Sequence, residues 1–167
     1  PLSGALQHQD SMGHTSVIRQ GEVQVMSAGR GIEHSEYNAS QEAPVAFLQI
    51  WVQPRKAQLE PRYDQREISL EKGAGLRQIV GPEGAEVGVW VQQDAWFHLG
   101  LLGANETVVK KWEKKGNGVY VFVIEGSVEI DGKLLKKRDA LAVWEADELA
   151  LTSHAEDTQV LTIEIPM

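Results

Sequence analysis

The 167-residue chain, 42% hydrophobic and 24% charged, is long enough for one substantial domain or one and a half small ones, and lies outside the composition of disordered chains. A net charge of −8 argues against a general nucleic-acid binder, and the absence of cysteine excludes disulfides, zinc–thiolate centres and Cys nucleophiles. No apolar run approaches the ~18–20 residues that span a bilayer, and the first residues carry no signal-peptide pattern. In chain order, short apolar runs are cut by turn residues, with hardly a helical period anywhere. Leu2–His8 places apolar residues on either side of Gly4, and Asp10-Ser-Met-Gly13 marks a turn. Glu22-Val-Gln-Val-Met26 alternates polar and apolar residues, as a half-buried strand does. Val45–Val52 is apolar at seven of its eight positions, which predicts a strand covered on both faces. Residues 54–66 are polar, contain two prolines and read as a connector. Beyond them the pattern predicts strands at Val87–Gln92, Trp96–Leu102, Thr107–Trp112, Val119–Ile124, Ser127–Ile130, Leu141–Trp144, Leu149–Thr152 and Gln159–Ile165. Asp131-Gly132 suits a two-residue type I′ hairpin turn. Many short strands at regular spacing predict an all-β sandwich or barrel, closed as a jelly roll to remove its edges.

The segment richest in chemistry is Gly29-Arg-Gly-Ile-Glu-His-Ser-Glu-Tyr-Asn38. Glycines on both sides of Arg30 permit a tight turn with positive φ. On a strand, His34 and Glu36 project to one face while Ser35 points away. An imidazole nitrogen and a carboxylate on one face make half of a mononuclear divalent-metal site, and such sets with open positions suit non-haem Fe(II) oxygen chemistry. By itself an H-x-E pair is a weak signal.

The remaining candidates have plainer readings. His8 is expected in a surface or supporting role, with facing the same cavity as the alternative; His14 is expected in solvent beside a turn, His98 hydrogen-bonded within a strand, and His154 in a polar loop. Arg30 is either a turn residue paired with an acid or a cation at a cavity mouth. The five tryptophans read as core or interface residues. The basic clusters at 110–115 and 136–138 read as exposed edge lysines that discourage aggregation, with docking of a protein or polyanion as the alternative. Residues 139–167 carry seven acids and no Lys or Arg, a solvated face or a docking face for a basic partner.

Gly21–Asn38 resembles the second cupin motif in its pirin form, a G-x5-P-x-G-x2-H-x3-N pattern stretched by two residues before the histidine. Gly21, Gly29, His34 and Asn38 match it, and Ser27 stands where the general motif has proline. Leu2–Gly13 resembles the pirin segment that follows the first cupin motif, while Gln49–Val52 and Pro61–Arg66 resemble the end of the first barrel and its linker. The resemblance implies an all-β, cupin-type double-stranded β-helix (jelly roll), the C-terminal part of a bicupin. Residues 1–54 would belong to the first, metal-binding cupin, 55–66 to the linker and 67–167 to a second cupin without a metal site.

The same resemblance implies Fe2+ or another divalent metal as cofactor of the intact protein, with His34 and Glu36 as metal ligands and Glu36 also as the catalytic carboxylate. Family members hold the metal with three histidines and a glutamate, two of the histidines in an H-x-H that this sequence lacks. The expectation is therefore a truncated form, inactive alone and weak in metal binding. The intact protein is expected to be a quercetin 2,3-dioxygenase-type enzyme acting on a flavonol-like small molecule, with Glu36 receiving the substrate hydroxyl proton. The alternative is a metal- or redox-responsive regulator of transcription that works through a protein partner without turnover. Neither direct nucleic-acid nor membrane contact is expected, and the expected compartment is cytoplasmic. Ser3–His8 and Val45–Val52, left without strand partners, are expected to drive self-association.

Overall fold

Fifteen strands make up the regular structure of the computed structural model, which describes residues 1–167. The first five are β1 (Ala5–Asp10), β2 (Thr15–Arg19), β3 (Glu22–Ser27), β4 (His34–Asn38) and β5 (Arg62–Glu67). Next come β6 (Leu76–Pro82), β7 (Val89–Val91), β8 (Trp96–Leu102), β9 (Thr107–Lys111) and β10 (Asn117–Glu125). The last five are β11 (Ser127–Ile130), β12 (Lys133–Lys136), β13 (Ala140–Val143), β14 (Glu148–Ser153) and β15 (Thr158–Pro166). No helix is long and apolar enough to cross a membrane.

The chain divides into two compact units, residues 1–69 with 82–93 and residues 70–81 with 94–167. In the first, β1 lies between β2 and β4, and β3 pairs antiparallel with β5 from Glu22↔Glu67 to Ser27↔Arg62. The stretch read as a connector therefore ends in a strand of this unit. Its earlier part is tied down at Gly29, where φ is +56° and an added Cβ would come within 2.7 Å of the Pro61 nitrogen. The Arg30 N–H donates to Leu59 O at 2.8 Å beside it. β7 packs against β3 and β5. There the Arg62 guanidinium lies 3.6 Å from the Trp90 ring centroid and donates to Trp90 O at 2.6 Å.

Val45–Val52 is not a strand. Its one ladder contact is the bridge between Ser3 and Ala46, and Phe47, Ile50 and Trp51 are exposed, Trp51 at 89%. An apolar run becomes a strand only where a neighbour completes its backbone hydrogen bonds, and apart from that bridge no strand pairs with this segment.

The second unit is a sandwich of two sheets. In one, β13, β10, β15, β8 and β6 follow one another; the other has the order β12-β11-β14-β9. Between them lies a core that includes Val119, Val121 and Val123 of β10, Val160 of β15, Leu102 of β8 and Leu151 of β14. Each such side chain contributes on the order of 1.5–3 kcal/mol by leaving water. The β11–β12 hairpin turns through Asp131 and Gly132, both at positive φ, with Ile130 paired to Lys133, as an I′ turn requires.

Candidate functional site

β4 begins three residues after the Gly29-Arg30-Gly31 turn and pairs antiparallel with β1. The register sets His8 opposite Glu36 and Asp10 opposite His34, so these four side chains share one face. His34 is exposed and Glu36 half-buried. The His34 ring stacks on the His8 ring with centroids 5.7 Å apart and 24° between planes. Glu36 Oε2 lies 3.5 Å from Gln49 Nε2.

His8 is fully buried, which rules out the surface reading and leaves the supporting one. Its ring lies between His34 and Tyr63, 4.9 Å from the Tyr63 centroid, and Tyr63 in turn stacks on His14 at 5.2 Å. Asp10 anchors the cluster. It accepts from the backbone N–H groups of Met12 and His14 and from the rings of His8 (3.2 Å) and His14 (3.2 Å). Burial alone would raise the Asp10 carboxyl; those hydrogen bonds outweigh it and hold the group below its ordinary value. His8 Nε2 is engaged by the Asp10 carboxylate, and Nδ1 is buried without a hydrogen-bond partner. Ser16 and Tyr63 share a short hydrogen bond, and Tyr63 donates to Gln65 Oε1 at 2.8 Å.

An exposed imidazole and a half-buried carboxylate on one face fit a divalent ion as two of its donors. No three His, Asp or Glu side chains of the chain are grouped to hold one by themselves. Arg30 pairs with Glu60 at 2.8 Å in solvent, the structural one of its two readings.

The second unit holds a separate polar cluster that sequence reasoning missed. Trp96 and His98 face Glu164 and Thr162 across β8 and β15, and Glu164 and Thr162 are fully buried. Lys110, read as an exposed edge lysine, is 3% exposed, because β9 turns Val108 and Lys110 inward. Its ammonium donates to Glu164 Oε2 at 2.8 Å, Glu113 Oε1 at 3.2 Å and Lys111 O. Glu164 also accepts from the N–H groups of Glu113 (2.9 Å) and Lys114 (3.0 Å) and from Asn117 Nδ2 (2.9 Å). Burial would raise the Glu164 carboxyl; these bonds overcome it and lower it. His98 is buried in β8, as expected of a strand residue, with Nε2 3.4 Å from Glu113 Oε1. Burial, reinforced by the Lys110 charge, pushes its pKa down to about 4, so the ring is neutral at pH 7. Among the other sequence readings, His154 is an exposed partner of Glu129, while Trp51 and Trp144 are exposed rather than core.

Residues 2–52 match the Pirin family, and residues 78–165 match the family described as the quercetinase C-terminal cupin domain. A quercetin 2,3-dioxygenase of Escherichia coli strain K12 is 36% identical over 166 residues, which cover 99% of this chain and 70% of that protein. The crystal structure of YhhW from Escherichia coli superposes with a TM-score of 0.91 at 32% identity, over 98% of this chain and 68% of that one. A crystal structure of bacterial pirin YhhW in complex with nickel(II) gives 0.90 at 32% identity, over 98% and 69%. Sheet topology and these matches define an all-β protein of the cupin class. Within that class the chain belongs to the pirin family.

Proposed function

We propose that the face carrying His34 and Glu36 supplies two of the donors for a divalent metal ion in a quercetin 2,3-dioxygenase-type site. The observation that carries the reading is the β1–β4 register, which puts an imidazole and a carboxylate side by side on one strand and backs them with the His8–Asp10 pair. Relatives named quercetin 2,3-dioxygenase, and the nickel(II) in a pirin crystal structure, support it. A bound divalent ion would act as a Lewis acid, lowering the pKa of a flavonol hydroxyl whose neighbouring carbonyl completes a chelate.

The chain's own residues do the rest. His34 presents a ring nitrogen, with its plane backed by the buried His8 ring. Glu36 would help hold the ion through its carboxylate and take up the hydroxyl proton, with Gln49 beside it at 3.5 Å. The remaining donors come from outside this pair, and the family resemblance assigns them to histidines of an H-x-H motif.

The test is loss of quercetin absorbance under O2 in the presence of Ni2+, Fe2+ or Mn2+, with anaerobic binding read separately from turnover. The proposal expects a protein-dependent spectral shift, beyond that of quercetin with the metal alone, that His34→Ala and Glu36→Gln both abolish. A shift of equal size in those variants contradicts it.

A further inference from the structure

The buried Lys110 ammonium has three N–H donors and meets three oxygens, from Glu164, Glu113 and the Lys111 carbonyl. Two carboxylates and a carbonyl around one positive charge form a donor set of the kind that hard cations take. Lys110 and Glu164 are 3% and 0% exposed, so neither charge is tolerable without the other. Two further groups on this interior are unused. His98 Nδ1 and Thr162 Oγ1, on directly paired residues of β8 and β15, are buried and have no hydrogen-bond partner.

We propose that the second unit contains a cation-binding cage built from Glu113, Glu164 and the Lys111 carbonyl, with the chain's own Lys110 ammonium as resident cation. A hard divalent ion or a small primary ammonium takes that place once the side chain is shortened. Lys110 thus acts for this barrel as an internal counter-ion, fixing β9 against β15 from inside. The inference is independent of the function proposed for the His34–Glu36 face, since no residue is shared.

The full chain carrying Lys110→Ala tests it. The substitution removes three carbons and a nitrogen, the skeleton of n-propylammonium. Thermal unfolding is followed with n-propylammonium chloride against equal NaCl, and Mn2+ binding is measured by calorimetry. The expected result is a lower melting temperature for K110A and a saturable recovery with n-propylammonium. K110A should bind one Mn2+ ion per chain beyond what the parent binds, and that additional ion should be unaffected by His34→Ala. Adding Glu164→Gln, which removes the buried charge, should erase both responses while the chain stays folded. If K110A is unfolded in NaCl, the same titration is read as recovery of the folded signal. Indifference of K110A to both cations, or an equal response in the parent or the double variant, overturns the proposal.

Discussion

Asp10 in the first unit and Glu164 in the second are both buried carboxylates, and each accepts hydrogen bonds from four groups, two of them backbone N–H. Their other partners differ. Glu164 has an amine, Lys110, and an amide, Asn117, whereas Asp10 has two imidazoles. A lysine ammonium closes a site, because it has no lone pair left to offer. An imidazole held at one nitrogen has a second to offer, and His8 Nδ1 lies without a partner beside the His34–Glu36 face. Each unit therefore holds a buried imidazole nitrogen without a partner, His8 Nδ1 and His98 Nδ1, but only the first sets an exposed imidazole and a half-buried carboxylate together on the face beside it.

The largest effect that would break this contrast is on stability. Lys110→Ala or Glu164→Ala should cost on the order of 3–5 kcal/mol in urea unfolding, because each leaves a buried charge unpaired. Glu36→Gln, at a half-buried position, should stay within about 0.5 kcal/mol while removing the metal response. Equal costs at the two sites would erase the distinction.

A second prediction concerns acid. His98 has a folded pKa of about 4 against an ordinary value of 6.5, so the unfolded chain binds the extra proton between those limits. Its contribution is complete above pH 6.5 and declines as the pH falls toward 4. The full effect is about 3 kcal/mol; discounted for solvent screening, a loss of roughly 1–2 kcal/mol is expected. His98→Gln should flatten that limb of the stability–pH curve; an unchanged slope would show that His98 titrates normally.

Below that range the carboxylates take over. Asp10 and Glu164 both lie below their ordinary values, 3.8 and 4.5, so the stability they confer is present above those values and is lost as the pH falls through the lower folded ones. Asp10→Asn should weaken the acid limb below about pH 3.8 and also free the His14 ring. The His14 ring NMR shifts at fixed pH should report the loss of that hydrogen bond; an unmoved His14 resonance would contradict the assignment.

The smallest effect on folding belongs to residues 45–52. Replacing Phe47, Ile50 and Trp51 by Ser should change stability by no more than about 0.5 kcal/mol each, since all three are exposed. If this apolar strip mediates self-association, light scattering should show the substituted chain shifting toward monomer. A parent chain that is monomeric at all concentrations would remove that role.

Much of the fold is legible in local pattern. β8 and β11 fall at their predicted boundaries, and Asp131-Gly132 turns the predicted hairpin. The His34–Glu36 pair is readable because period-two geometry and a motif agree. What stays hidden is which side of a strand faces inward. In β15 the buried residues include Thr162 and Glu164, whereas Ile165 is 38% exposed, so hydrophobic alternation points outward there. Lys110 sits in a run of lysines that reads as surface, and its burial depends on a glutamate 54 residues away. His8 carried a usable signal, since Leu6, His8 and Asp10 alternate inward along β1, on the face that His34 and Glu36 share across the β1–β4 ladder. Val45–Val52 shows the converse, an apolar run with no neighbouring strand to pair it.

The central claim is that the metal-ready face is the one on β4, and nitrogen-15 NMR with Ni2+ tests it most directly. Sub-stoichiometric Ni2+ should broaden the amides around His34 and Glu36 first, leave those around His98 and Glu164 sharp, and lose its effect in His34→Ala. Broadening centred on His98, or unchanged by His34→Ala, would contradict the assignment of the site.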